Sequence, residues 1–128
     1  MADKLHHIQN VAQFDELLSS TTYVVADFFA TWCGPCKAIA PTYEKLADKH
    51  GIEGQLAFAK VDVDAVQEIA ARYSIRAMPT FLFFKEGKRV GVNGDAEIQG
   101  AVPPKLLAAA EKLGGLAKAR AEAAAATA

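Results

Sequence analysis

The chain switches between short stretches that are apolar at nearly every position and longer ones that are apolar only every third or fourth. "YVVADFFA" (Tyr23 to Ala30), "GQLAFAKVDVD" and "TFLFF" belong to the first kind and are rich in β-branched and aromatic residues. Such runs, with little polar alternation, suit strands covered on both faces. "NVAQFDELLSS" belongs to the second kind, with Val11, Phe14, Leu17 and Leu18 at helical spacing and Asn10 as candidate N-cap. From Cys33 onward Cys36, Ile39, Ala40, Tyr43, Leu46 and Ala47 share one side, which predicts a helix to about His50 that stops at Gly51. Pro41 sits inside it, removes a backbone donor and predicts a kink.

The remaining segments complete the order. "HHI" predicts a short edge strand, and "DAVQEIAARYSI" a short helix with Asp64 as its cap. "TFLFFKEGKRVGV" predicts a hairpin, and "PPKLLAAAEKL" a helix with Pro104 in its first turn. The sequence β-α-β-α-β-α-β-β-α implies parallel strands joined through helices plus an antiparallel portion, hence a mixed sheet covered by helices. Asn93-Gly94 is itself a turn signal, so the last strand is Arg89 to Val92, or Ala96 to Gly100, or both. Leu116 to Ala128 is mostly alanine, with Lys118, Arg120 and Glu122 interspersed. High helix propensity with little to bury predicts an extension of the last helix that frays into disorder.

Composition narrows the function classes. At 128 residues, 52% hydrophobic, one domain with a sizeable core is expected. A net charge of −1 sets up no field that would draw nucleic acid or an anionic membrane. No apolar run approaches a bilayer span. The start lacks the pattern of a secretory signal and "AAAATA" is not an endoplasmic-reticulum retrieval signal, so a cytoplasmic, reducing setting is the expectation; a monomer is expected besides.

Both cysteines lie in "FFATWCGPCKAIAP", two residues apart. Three roles are open to them: a staple, half of a zinc site, or a reactive pair. Zinc needs four ligands, and His6, His7 and His50 do not follow the pair at ligand-like spacing. A static disulfide here would close a tiny loop and constrain the unfolded chain little. A reactive pair accounts for more of the residues. Cys33 would stand at a helix N-terminus, where unpaired N–H groups and the helix dipole favour thiolate, the species that attacks disulfides. Cys36, one turn on, is placed to close a ring with it. Asp27 is an acid in the middle of an apolar strand, six residues before Cys33. Burial there would raise its pKa and allow it to take a proton from Cys36, unless it simply points outward at the strand's edge.

"WCGPCK" (Trp32 to Lys37), the "DFFATWCGPCK" segment around it, Pro41, "KVDVD" (Lys60 to Asp64) and "RAMPTFLFFKEGK" (Arg76 to Lys88) together resemble the thioredoxin family. The likeness runs in order and spacing from about Val11 to Leu113. It implies the α/β thioredoxin fold, a central mixed sheet of five strands flanked by four helices. It further implies a thioredoxin domain over 1–115; the Ala-rich extension over 116–128, helical or disordered, has no counterpart in minimal members. Carried over by position, Cys33 looks like the exposed nucleophile and Cys36 like the buried resolving thiol. Asp27 looks like the buried acid with Lys60 as neighbour, and Pro79 like the cis-proline opposite the disulfide. Trp32, Gly34, Pro35, Met78, Gly100 and Ala101 would line the substrate groove. Phe29 stands where many members have Trp, and the segment from Gly87 to Gly100 is longer than in shorter members, which leaves Gly91 and Gly94 as alternatives to Gly100.

The implied activity is protein-disulfide reduction by a Cys33–Cys36 dithiol, with no bound cofactor or metal. Electrons would come from NADPH through thioredoxin reductase, and the substrates would be disulfide-containing proteins such as peroxiredoxins and reductases. Gly34-Pro35 between the cysteines resembles the reducing rather than the oxidising relatives. An oxidase or isomerase, or a binding module that uses the surface around Trp32, are the competing functions. A high redox potential would mark the former, and function that survives loss of both cysteines the latter.

Overall fold

The computed structural model describes residues 4–127; residues 1–3 and Ala128, at the outer ends of the expected domain and extension, lie outside the described residues. The chain begins with β1 (Leu5–Ile8), α1 (Val11–Ser20) and β2 (Tyr23–Phe29). It continues through α2 (Gly34–His50), β3 (Leu56–Asp62), α3 (Gln67–Arg72) and β4 (Thr80–Lys85), then β5 (Lys88–Val90), β6 (Glu97–Gln99) and α4 (Pro103–Thr127). The sheet order is β1-β3-β2-β4-β5, with β6 also on β4. β1, β3 and β2 run parallel, β4 is antiparallel to β2, and β5 and β6 are antiparallel to β4.

Strand β2 is apolar on both faces because it lies between two helical layers. Tyr23 and Val25 join one core with Tyr43 and Ile39 of α2 and Leu106, Ala110 and Leu113 of α4. Val24, Ala26 and Phe28 join the other, with Phe14 and Leu18 of α1 and Ile69 of α3. Tyr43 packs between Phe58 and Phe81 and donates its hydroxyl to the Val25 and Ala59 carbonyls at 3.0 and 2.8 Å. That pair of hydrogen bonds to the sheet fixes α2 over β2 and β3, and therefore fixes where α2 begins.

Several expectations are sharpened. The Asn10 carboxamide caps α1 by accepting from the Gln13 N–H at 2.8 Å. β5 pairs with Phe83 to Lys85 and β6 with Thr80 to Leu82, so the fifth strand is two short strands on one edge of β4. Between them Val92 and Asp95 exchange backbone hydrogen bonds around Asn93-Gly94, both at positive φ. Asp64 does not cap α3: the helix starts after Val66 with no side-chain cap. Asp62 instead accepts the N–H groups of Asp64 and Ala65, and the Asp64 carboxylate is engaged by Trp32.

Helix α2 runs through the exposed Pro41 without interruption and closes with the Gly51 N–H on the Ala47 carbonyl at 2.9 Å. α4 is helical as far as Thr127, where fraying was expected. Its first half owes this to packing: Leu106, Ala110, Leu113, Gly114 and Ala117 are buried. At Gly114 α4 passes close to the end of α2, since a Cβ there would overlap the His50 ring. Beyond Ala117 the residues are almost all exposed, and alanine propensity carries the helix.

Candidate functional site

The end of β2 and the start of α2 bring the two cysteines together. Cys33 is the N-cap of α2, in extended conformation, and Pro35 occupies the first turn, where a missing N–H costs nothing. Cys33 and Cys36 form a disulfide, with Cα atoms 5.3 Å apart. The Cys36 N–H donates to the Cys33 sulfur at 3.1 Å, and Lys37 N–H to the Cys33 carbonyl at 3.2 Å. One backbone donor, the Cys36 N–H, thus points at the Cys33 sulfur, where it would stabilise a thiolate. The expected contrast in exposure is absent: Cys33 is 6% and Cys36 5% exposed. In the disulfide the Cys33 sulfur is covered by its partner and by the Met78 carbonyl, 3.5 Å away. What separates the two is position, Cys33 at the rim of the helix and Cys36 inside its first turn.

The Met78–Pro79 peptide bond is cis. Pro79 offers its carbonyl to the Gly100 N–H at 2.7 Å, which draws the end of β6 to the disulfide's edge. Gly100, at φ 90°, and the half-buried Ala101 therefore sit beside Pro79, while Gly91 and Gly94 lie in the turn between β5 and β6. Met78, like Phe29 and Val63, packs against the cluster of Ala30 and the two cysteines. Gly34 and Pro35 are exposed, and Trp32 is 67% exposed with its indole N–H donating to the Asp64 carboxylate at 2.9 Å. Asp64 was legible only as a helix cap. Its indole partner lies 32 positions away, beyond any local pattern.

Asp27 is 1% exposed, so the outward-pointing alternative fails. Strand alternation puts it in the row of Tyr23 and Val25, on the face that α2 covers, near Tyr43, whose pKa its charge helps to raise. Its Oδ1 has no hydrogen-bond partner among the described residues. Burial raises its pKa from 3.8 to about 7, and the Lys60 cation, its register partner on β3, lowers it only in part. The acid therefore titrates where a proton acceptor at neutral pH is useful. The Lys60 ammonium lies 4.4 Å from the centroid of the Phe29 ring. Among the described residues no three His, Cys, Asp or Glu side chains converge to hold a metal, and no helix is long and apolar enough to cross a membrane.

The thioredoxin family model matches residues 5–111. A thioredoxin-like protein of Fusarium culmorum is 65% identical over 116 residues, 91% of this chain and 96% of its own. The thioredoxin of Neurospora crassa is 57% identical over 124 residues, 97% of this chain and 98% of its own. Among solved structures, the thioredoxin of Malassezia sympodialis superposes with a TM-score of 0.76 at 42% identity, covering 86% of this chain and 90% of its own. A helix-capping disulfide, a buried acid behind it and relatives this similar along nearly the whole chain leave one conclusion. The chain belongs to the thioredoxin family, protein-disulfide oxidoreductases that act by thiol–disulfide exchange through a redox-active cysteine pair.

Proposed function

We propose that this protein is a general protein-disulfide reductant in which Cys33 attacks, Cys36 resolves and Asp27 takes the resolving proton. The observation that carries the reading is the Cys33 sulfur at the N-terminus of α2, accepting the Cys36 N–H at 3.1 Å. That setting lowers a thiol's pKa, because the helix dipole and the N–H donor favour the anion. The Cys33 thiolate attacks one sulfur of a substrate disulfide, forms the mixed disulfide and expels one substrate thiolate. Cys36 gives its proton to the Asp27 carboxylate. The Cys36 thiolate then attacks the Cys33 sulfur, the mixed disulfide breaks, and the second substrate thiolate leaves. The substrate gains two electrons and the chain retains the Cys33–Cys36 disulfide.

Substrate binding falls to the groove of Trp32, Gly34, Pro35, Met78, Gly100 and Ala101. Met78, ahead of the cis-Pro79, offers backbone to a substrate strand in the manner of β-augmentation. Lys60 tunes Asp27 from the adjacent strand. Electrons come from NADPH through thioredoxin reductase, and peroxiredoxins and other disulfide-forming enzymes are the substrates. The reading includes a cytoplasmic monomer, with 1–115 as the working domain and 116–128 as an appended extension.

The test is insulin disulfide reduction with NADPH and a thioredoxin reductase. Wild type turns over, Cys33→Ser does not, and Cys36→Ser accumulates mixed disulfides whose partners identify the substrates. Turnover by Cys33→Ser would overturn the assignment of the nucleophile.

A further inference from the structure

Phe29 stands two residues after Asp27 on β2, so the two side chains share the face that α2 covers. Lys60 stands opposite Asp27 in register, and Asp62 opposite Phe29. The obvious partner for the Lys60 ammonium is the Asp27 carboxyl. Yet among the described residues no ion pair within 4.0 Å joins them, and Asp27 Oδ1 remains unpartnered. The ammonium lies instead 4.4 Å from the Phe29 ring centroid, in the range where a cation is held by the negative face of an aromatic ring. Phe29 packs against the cysteine cluster, so its ring has a fixed place from which to hold the cation.

We propose that Phe29 is a positioning residue: its ring holds the Lys60 ammonium off the Asp27 carboxyl and so sets how strongly that cation acts on the acid behind the cysteine pair. This rests on the reading of Asp27 as the proton acceptor. The surroundings leave Phe29 as the discriminating contact. Asp27 is faced by Lys60 from β3, by Phe81 from β4 and by Tyr43 from α2. The Tyr43 hydroxyl is committed to two backbone carbonyls. Lys60 is faced by His7 across β1 and by Asp62 further along β3, whose carboxylate accepts two backbone N–H groups. Without the ring, the unpartnered Asp27 carboxyl is the nearest buried acceptor on that face. The cation then moves toward it, favours the carboxylate and draws the acid's titration downward.

The experiment follows Asp27 directly, by carboxyl carbon NMR of the full chain in its disulfide form, where the cysteines do not titrate. Phe29→Leu lowers the Asp27 midpoint by about one pH unit, the low end of what a cation brought within reach of a carboxylate does. Phe29→Tyr, which keeps a ring face, leaves the midpoint near wild type. In a Lys60→Met background Phe29→Leu has no effect, because the cation being positioned is gone. An unchanged or raised midpoint in Phe29→Leu, or the same shift with Lys60 absent, overturns the proposal. The pH profile of insulin reduction separates the underlying reading. If the midpoint moves and the profile does not, Phe29 positions Lys60 as proposed but Asp27 is not the proton acceptor.

Discussion

Asp27→Asn should make the protein more stable at alkaline pH, by an amount the structure sets. The carboxyl titrates at about 7 in the folded chain against an ordinary 3.8, because burial penalises its charged form. Each tenfold change in proton affinity is about 1.36 kcal/mol, so ionising Asp27 costs the fold about 4 kcal/mol relative to the unfolded chain. The sign follows from which state holds the proton. Below about pH 3.8 both states are protonated and the group costs nothing. Between 3.8 and about 7 the folded state keeps a proton that the unfolded state has lost, so stability falls as pH rises. Above about 7 the full cost is present and the dependence levels off.

The assay is urea unfolding of the disulfide forms of wild type and Asp27→Asn from pH 4 to pH 9. With an m-value of about 2 kcal/mol per M, the variant's midpoint should lead by about 2 M at pH 9 and by little at pH 4. His50, whose pKa burial lowers, destabilises both proteins as pH falls below its ordinary range and so cancels in the difference. A difference that does not change with pH would refute the argument. It would mean that the Asp27 carboxyl is not the buried titrating group it is taken to be.

Other substitutions test the packing. Gly115→Ala, whose new Cβ meets nothing within 4 Å, should raise stability by about 0.5–1 kcal/mol in thermal unfolding through helix propensity. Gly114→Ala, one residue earlier, should instead lower Tm, because overlap with the His50 ring costs about 1–3 kcal/mol. Tyr43→Phe removes the donor shared by the Val25 and Ala59 carbonyls and should cost about 1–2 kcal/mol in urea unfolding. Asn10→Ala removes the α1 cap and should cost about 1 kcal/mol by the same measurement.

The site was legible in the sequence to different depths. Cys33 and Cys36 lie within one helical turn, so their proximity is a local fact that spacing alone conveys. Asp27 was conspicuous because an acid within an apolar strand is costly, although the same letters allowed an outward orientation. Lys60 and Pro79 were singled out only through family resemblance, since Lys60 meets Asp27 across β3 and Pro79 arrives at the start of β4, each far along the chain from Cys33. The Trp32–Asp64 hydrogen bond and the Lys60–Phe29 contact were not legible at all. Asp64 looked like a cap because Asp before a helical pattern usually is one, and its real partner comes from another loop. The last strand could be read as Arg89 to Val92, as Ala96 to Gly100 or as both, until pairing with β4 made it two, β5 and β6, with Gly91 to Ala96 as the turn between them.

The sequence by itself determined most of the elements and the closeness of the two cysteines, because apolar periodicity and a CGPC turn act over a few residues. It also determined that β2 would be covered on both faces, since no apolar run of that kind can face water. Tertiary structure decided what depends on distance across the chain: the burial that moves Asp27 to about 7, and the edge built by Pro79 and Gly100. It likewise decided that Lys60 rests on a ring rather than on a carboxylate. Charge placement and desolvation depend on what surrounds a group in three dimensions, and neighbouring letters do not specify that.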